Sequence, residues 1–227
     1  MNFLTSSISL ILVNLVPLFG AIFLGWDLTT LLIIYWSENI AIGFWNIFKL
    51  LKAPRVNDKN NKYHISFEDM TKEEIDRVNN SSNLAGIKLS YTLFFMVHYS
   101  LFTFVHGFFI FSTFLQATTN FLLYLPGIFF TFILIFLSHG FSYLLNFIGK
   151  REYEETSLTE LMIKPYKRIF ITHFVVILVS IALQELNDTF LPALILIIIK
   201  TIGDLIFHII EHTKPSINGQ NEIKRYY

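Results

Sequence analysis

The sequence predicts an all-α integral membrane bundle of six transmembrane helices with both termini cytoplasmic. Three observations lead there. Of 227 residues, 53% are hydrophobic and the mean hydropathy is +0.54, too apolar for an ordinary soluble domain. The apolar residues gather in six runs, near 4–25, 28–51, 87–115, 120–148, 167–187 and 190–213. Each is close to the roughly 20 residues a helix needs to cross a bilayer, and a helix satisfies its own backbone in lipid. Finally, 16 of the 17 Lys and Arg residues fall on one side of that plan, the exception being Lys200 inside the sixth run. By the positive-inside rule that side is the cytoplasm.

Taken in order, the first run carries Pro17 and Gly20, which are expected to bend it. Its flank, MNFLTSS, has no basic stretch, so the run is expected to stay as an anchor rather than be cleaved. A turn at Trp26-Asp27 leads into the second run. The polar segment from Ala53 to Leu84 follows, where Thr71-Lys72-Glu73-Glu74 has the spacing of a capping box. The third and fourth runs are joined by Gln116–Thr119, and Pro126 lies early in the fourth, where a missing N–H is tolerated. In the next cytoplasmic segment, Ser157-Leu158-Thr159-Glu160 is a second capping box. Leu158, Leu161 and Met162 then predict a short helix lying on the membrane surface until Pro165 ends it. The fifth and sixth runs are joined by Glu185–Asp188. No internal repeat is visible, which weighs against an inverted-repeat transporter. The whole chain reads as a single membrane domain.

Composition removes several classes of function. There is no cysteine, so disulfides, thiolate metal sites and thiol catalysis are excluded. The net charge is zero, with no basic cluster interleaved with aromatics, so no nucleic-acid partner is expected. The expected partners are the lipid bilayer and an unidentified ion or small molecule.

The candidate functional residues are the ionisable ones inside the runs. Six of seven histidines lie there: His98, His106, His139, His173, His208 and His212. Glu38, Lys200 and Asp204 join them, and such groups cost several kcal/mol in hydrocarbon unless paired. Helical spacing collects them into stripes. Lys200, Asp204, His208 and His212 recur every four residues, with Glu211 in the same arc. Tyr35, Glu38, Asn46 and Lys49 share the second run. Tyr91 and His98 share the third, and His139, Ser142, Tyr143 and Asn146 the fourth. Tyr166, His173, Ser180 and Gln184 line the fifth. At ~1.5 Å of rise per residue, Glu38 and Lys200 lie about 15 Å from the outer face, His98, Asp204 and His173 at roughly 17–22 Å, and His139 and His208 near ~26 Å. His106 alone falls near the outer face.

Imidazoles from three helices with a carboxylate one turn from His208 suit a divalent metal such as zinc. The expected ligands are His139, His173, His208 and Asp204, with His98 and His212 as further members. Glu38, Asp204 and Glu211 are the candidate catalytic carboxylates, because an open metal position would activate water. His208-Ile209-Ile210-Glu211-His212 also matches the H-x-x-E-H pattern of inverted zincins, which are large soluble proteases unlike this chain. Haem is a poorer fit. The six-helix architecture is similar to that of cytochrome b561, but those proteins pair histidines at both faces. Two other classes stand beside the metal enzyme. One is proton-coupled or metal-ion transport through Glu38, His98, Lys200, Asp204 and His208. The other is a scaffold whose buried polar groups only fix helix order. Neither a Gly-x-Ser nucleophile nor the paired Glu154-Glu155 supports a rhomboid or CAAX-type protease.

The phrases YWSENIAIGFWNIFKLL (35–51), FFMVHYSLFTFVHGFF (94–109), LSHGFSYLLNF (137–147), KPYKRIFITHF (164–174) and KTIGDLIFHIIEH (200–212) carry a resemblance. Together the chain resembles an uncharacterised family of prokaryotic multi-pass membrane proteins catalogued as a domain of unknown function. The resemblance implies a six-helix fold in a prokaryotic plasma membrane and no particular activity.

Overall fold

A computed structural model describes residues 16–54, 84–114, 121–154, 156–186 and 195–203, and every element among them is helical. We number the α-helices in chain order: α1 (16–23), α2 (Leu28–Lys52), α3 (Leu84–Phe114), α4 (Phe121–Ser142), α5 (Leu158–Leu186) and α6 (195–203). A π-helical turn, Tyr143–Ile148, extends α4, and a 3₁₀ turn spans Glu152–Glu154. Three helical stretches are long and apolar enough to cross a membrane: Leu28–Lys52, Leu84–Thr113 and Phe121–Ile148. The Thr71–Glu74 capping box and the turn at Gln116–Thr119 lie outside the described residues.

Local chemistry sets the ends of these helices. Gly25, at φ 65°, closes α1, and the Leu24 and Trp26 N–H groups both donate back to the Gly20 carbonyl. Gly20 has a further use: a Cβ there would lie 2.0 Å from the Trp26 ring. The Asp27 carboxylate accepts from the Thr30 N–H at 2.8 Å and caps α2. At the other end, Lys49 and Lys52 suit the negative pole of the helix, and Pro54 follows. Ser157 caps α5, its hydroxyl accepting from the Glu160 N–H at 3.3 Å, which is the serine half of the second capping box.

Helix α2 is the axis of the bundle. Of its most apolar stretch 56% is buried, against 33% for α3 and 17% for α4 with its π turn. The outer faces of the other helices are apolar: Phe104, Phe108, Leu122, Phe129, Phe170 and Phe174 are all more than 60% exposed, the pattern of a lipid-facing surface.

One contact recurs three times to lock neighbours onto this axis. The Trp36 indole N–H donates to the Thr103 carbonyl at 2.7 Å, and its ring lies on Gly107, one turn later on α3. Trp45 donates to the Phe136 carbonyl at 3.0 Å and lies on Gly140 of α4. In reverse, Tyr99 of α3 donates to the Asn39 carbonyl at 3.0 Å and lies on Gly43 of α2. At all three glycines a Cβ would fall within 2.6 Å of a ring atom, so each glycine is there to admit an aromatic ring. Trp36 and Trp45 are nine residues apart, about half a turn in angle, and so hold α3 and α4 on opposite sides.

The contacts also fix directions. From Trp36–Thr103 to Tyr99–Asn39 the residue numbers rise on α2 and fall on α3, so these helices are antiparallel. Trp26 lies against Gly127 and Glu38 beside His139, the same offset in both pairs, so α2 and α4 are parallel. Asn46 meets Leu161 and Glu38 meets Arg168, making α5 antiparallel to α2. The direction of travel therefore alternates from α2 to α5, as consecutive membrane crossings require.

Helix α5 differs from the sequence reading. The expected surface helix and fifth span are one continuous helix, with Pro165 inside it. A proline there removes the N–H that would bond to the Leu161 carbonyl, which should break the helix. The Asn46 side chain of α2 replaces the missing donor, giving its Nδ2 hydrogen to that same carbonyl at 2.9 Å. Leu158 and Leu161 are accordingly not on a membrane surface. They are 0% and 3% exposed, buried with Leu50, Phe95, Tyr99 and Phe147.

This substitution of one donor for another is testable. Asn46→Leu should leave a buried carbonyl without a partner, at about 1–3 kcal/mol. Pro165→Ala restores the backbone N–H, so the Asn46→Leu/Pro165→Ala protein should recover part of the loss. Thermal unfolding in detergent measures both. Equal stability of the single and double variants would contradict the assignment.

Candidate functional site

The polar stripes of four helices meet at the carboxylate of Glu38, which is 12% exposed. Its Oε2 receives Lys200 Nζ of α6 at 2.7 Å. Its Oε1 receives Arg168 Nη1 of α5 at 3.3 Å and faces His139 Nε2 of α4 at 3.8 Å. The first two are charge-assisted contacts, whereas the imidazole stands just beyond hydrogen-bonding distance.

Each partner arrives for a structural reason. Lys200 is directed by Tyr35, one turn before Glu38 on the same face, whose ring lies 4.8 Å from the ammonium. Arg168 is levelled with Glu38 by the Asn46–Leu161 bond, since the two contacts are seven residues apart on α5 and eight on α2. His139 precedes Gly140, where the Trp45 ring sits close against α4 and draws its backbone towards α2. Beside the carboxylate is a small pocket lined by Glu38, Asn39, Ile42, Arg168, Ile171, Thr172 and Lys200, with room for about one water molecule.

Two satellite pairs lie on α3 and α5. Nδ1 of His98 and the hydroxyl of Tyr166 share a hydrogen bond of 2.7 Å, with Phe94 stacked on the imidazole. The rings of His106 and His173 meet edge to face with centroids 4.9 Å apart. His106 is buried, and its Nε2 has no hydrogen-bond partner among the described residues.

The expected site residues therefore separate. Glu38, Lys200 and His139 come together, although His139 was placed about 11 Å deeper than Glu38, more than a third of the hydrocarbon core. The depth count assumed level helix ends. In fact Trp26 packs on Gly127, six residues into α4, so α4 starts well before α2 along their shared direction. His106 meets His173 through other registers: Trp36–Thr103 aligns α3 on α2 and Glu38–Arg168 aligns α5, which sets His173 nearer the Trp26 end of α2 than the count placed it. His98, His139 and His173 have three different neighbours, Tyr166, Glu38 and His106. Among the described residues, no three His, Asp or Glu side chains form a group able to hold a metal. Asp204, His208, Glu211 and His212 lie outside the described residues, as do the side chains of Ser180 and Gln184.

The sequence reading missed Arg168, assigned by the charge rule to a cytoplasmic segment. The available signal was Arg168 with Thr172 at i, i+4, a second polar line on the same helix, and a side chain long enough to reach inward. Tyr99 was missed as well, because its hydroxyl serves a backbone carbonyl rather than another polar side chain.

An all-helical bundle, with three stretches fit to cross a membrane and a charged centre between its helices, is the class that fold and site define. The chain belongs to the Family of unknown function (DUF6498), whose model it matches over residues 3–221. No curated protein and no solved structure matches the chain.

The Glu38 cluster predicts strong coupling between its members. Breaking a buried pair from one side strands a charge at about 3–5 kcal/mol. Lys200→Met and Glu38→Met should each lower the thermal midpoint in detergent, and the double variant should lose less than the two singles combined. Simple additivity would show that the two groups do not interact.

Proposed function

We propose that this is a six-span protein of a prokaryotic plasma membrane, with both termini cytoplasmic, that handles protons at Glu38 as part of proton-coupled transport. One observation carries the reading: among the described residues, the Glu38 carboxylate, deep among four helices, faces an ammonium, a guanidinium and an imidazole beside a pocket with room for about one water molecule. Helix packing alone would not favour this arrangement. Neutral hydroxyls join membrane helices without the desolvation penalty of several kcal/mol for each buried ion. A carboxylate beside an imidazole supplies what packing does not, two groups between which a proton can pass. The apolar outer faces and the alternating helix directions support the membrane topology.

A metal-dependent enzyme is the second reading. It is favoured by one imidazole–carboxylate pair, His139 with Glu38, and would draw its remaining ligands from Asp204, His208 and His212. Elemental analysis of purified protein tests it: stoichiometric metal that is lost in His139→Gln would favour this reading over proton handling.

Infrared difference spectroscopy tests the leading reading. On acidification, a protonated carboxyl band should appear in the wild type and vanish in Glu38→Gln. Proteoliposomes should show a proton flux that falls to the level of empty vesicles in the same variant. A band and a flux that survive the substitution would remove Glu38 from the function.

The topology is checked separately on this cysteine-free chain. Leu24→Cys, on the exposed turn after α1, should react with an impermeant thiol reagent from outside the cell. Glu152→Cys, in the exposed 3₁₀ turn, should react only after permeabilisation. The reverse pattern would invert the orientation.

A further inference from the structure

We propose that the Glu38 pocket binds a small inorganic anion of halide size together with a proton, with the Glu38 carboxylate as the built-in competitor for the anion's seat. The inference rests on the proton-handling reading and names the solute that accompanies the proton. Its basis is the shape of the charge. The carboxylate spans two cationic heads, one oxygen on Lys200 at 2.7 Å and the other on Arg168 at 3.3 Å. It thus occupies the position that a bound anion would take between them. The adjoining pocket is lined by those same two cations together with Asn39 and Thr172. Among the described residues, Asn39 Nδ2 makes one bond, long at 3.4 Å, to the Tyr35 carbonyl, so its second N–H can serve an incoming acceptor.

The exchange balances without a further reactant. A proton adds to a Glu38 oxygen and an anion enters the pocket, so the ionised carboxylate is replaced by a neutral carboxyl plus one bound anion. The net charge of the buried centre is unchanged, which matters where an uncompensated charge costs several kcal/mol. Either event alone would change that charge, so each favours the other. His139, at 3.8 Å, is the nearest group able to pass the proton to Oε1. Besides Lys200, Arg168 and His139, the titratable groups facing this region among the described residues are Tyr35 of α2, whose ring lies against the Lys200 ammonium, Lys49 of α2, which acts on His139, and Tyr99 of α3, whose hydroxyl donates to the Asn39 carbonyl. The pocket itself has room for about one water-sized particle. A halide fits once the neutral carboxyl turns aside, whereas a large organic anion does not.

The test uses full-length protein in lipid nanodiscs, titrated with chloride at constant ionic strength by replacing gluconate, a bulky anion. Binding is read by calorimetry, and proton uptake by a pH indicator in weak buffer. Chloride affinity should rise roughly tenfold for each unit of pH decrease, with one proton taken up per chloride. In Glu38→Gln the affinity should become independent of pH and at least as tight as that of the wild type at acid pH. Chloride should also raise the thermal midpoint of that variant, which shows that it is folded and that the seat is intact. Lys200→Met should lose binding at every pH. The proposal is overturned if wild-type affinity ignores pH, or if chloride binds neither the acidified wild type nor Glu38→Gln. Should Glu38 still show its infrared protonation band in that case, the proton-handling reading stands and only the anion is wrong.

Discussion

The structure depends on keeping one carboxylate ionised where water is scarce. Glu38 sits on the most buried helix, and its charge is compensated by Lys200 and Arg168 from two other helices, with His139 of a third beside it. Coulomb attraction grows in such surroundings, but so does the desolvation cost, and the two nearly cancel unless geometry is held closely. Holding that geometry is the task of the packing around it. Within one or two turns of Glu38 lie the Tyr99–Asn39 bond, the Trp36 and Trp45 clamps and the Tyr35 ring beneath Lys200.

The packing follows a single physical rule. In lipid the hydrophobic effect does not drive helices together, so association relies on close contact and on hydrogen bonds. Each clamp supplies both. An aromatic ring lies against a glycine while its N–H or O–H reaches a carbonyl one turn earlier, already engaged in its own helix. A carbonyl has two lone pairs, so it takes the second donor without losing the first. The Asn46–Leu161 bond extends the rule to a carbonyl that Pro165 has released. The result is a set of helix contacts that are directional as well as close, which an aliphatic interface would not provide.

Much of this was legible in the sequence, for reasons that can be stated. The apolar run of α2 and the Ser157 cap of α5 are local features, and each formed as its spacing required; Asp27, read only as part of a turn, also caps α2. Glu38 and Lys200 were placed at one depth, and they meet. The failures arose where one helix answers another. Pro165 reads as a helix end because the compensating donor is on α2, more than a hundred residues away. His139 and His173 were set at the wrong depths because helix ends are staggered, α4 by Trp26 on Gly127 and α5 by Arg168 on Glu38, a fact of packing rather than of composition. Arg168 was counted as a topology signal, and the charge rule does not record which way a long side chain turns. The expected gathering of His139 with His173 failed for a related reason. Spacing places a residue on a face of its own helix, but it does not say which neighbour that face meets.

The most direct measurement of the central claim is the contact between Glu38 and its cations in a lipid bilayer. Solid-state NMR with carbon-labelled glutamate and nitrogen-labelled lysine reports the distance from the Glu38 carboxylate carbon to Lys200 Nζ. The account predicts strong dipolar dephasing, as an oxygen-to-nitrogen separation of 2.7 Å requires, and its loss in Lys200→Met. A carboxylate that shows no lysine contact would contradict the claim that this charged centre organises the bundle.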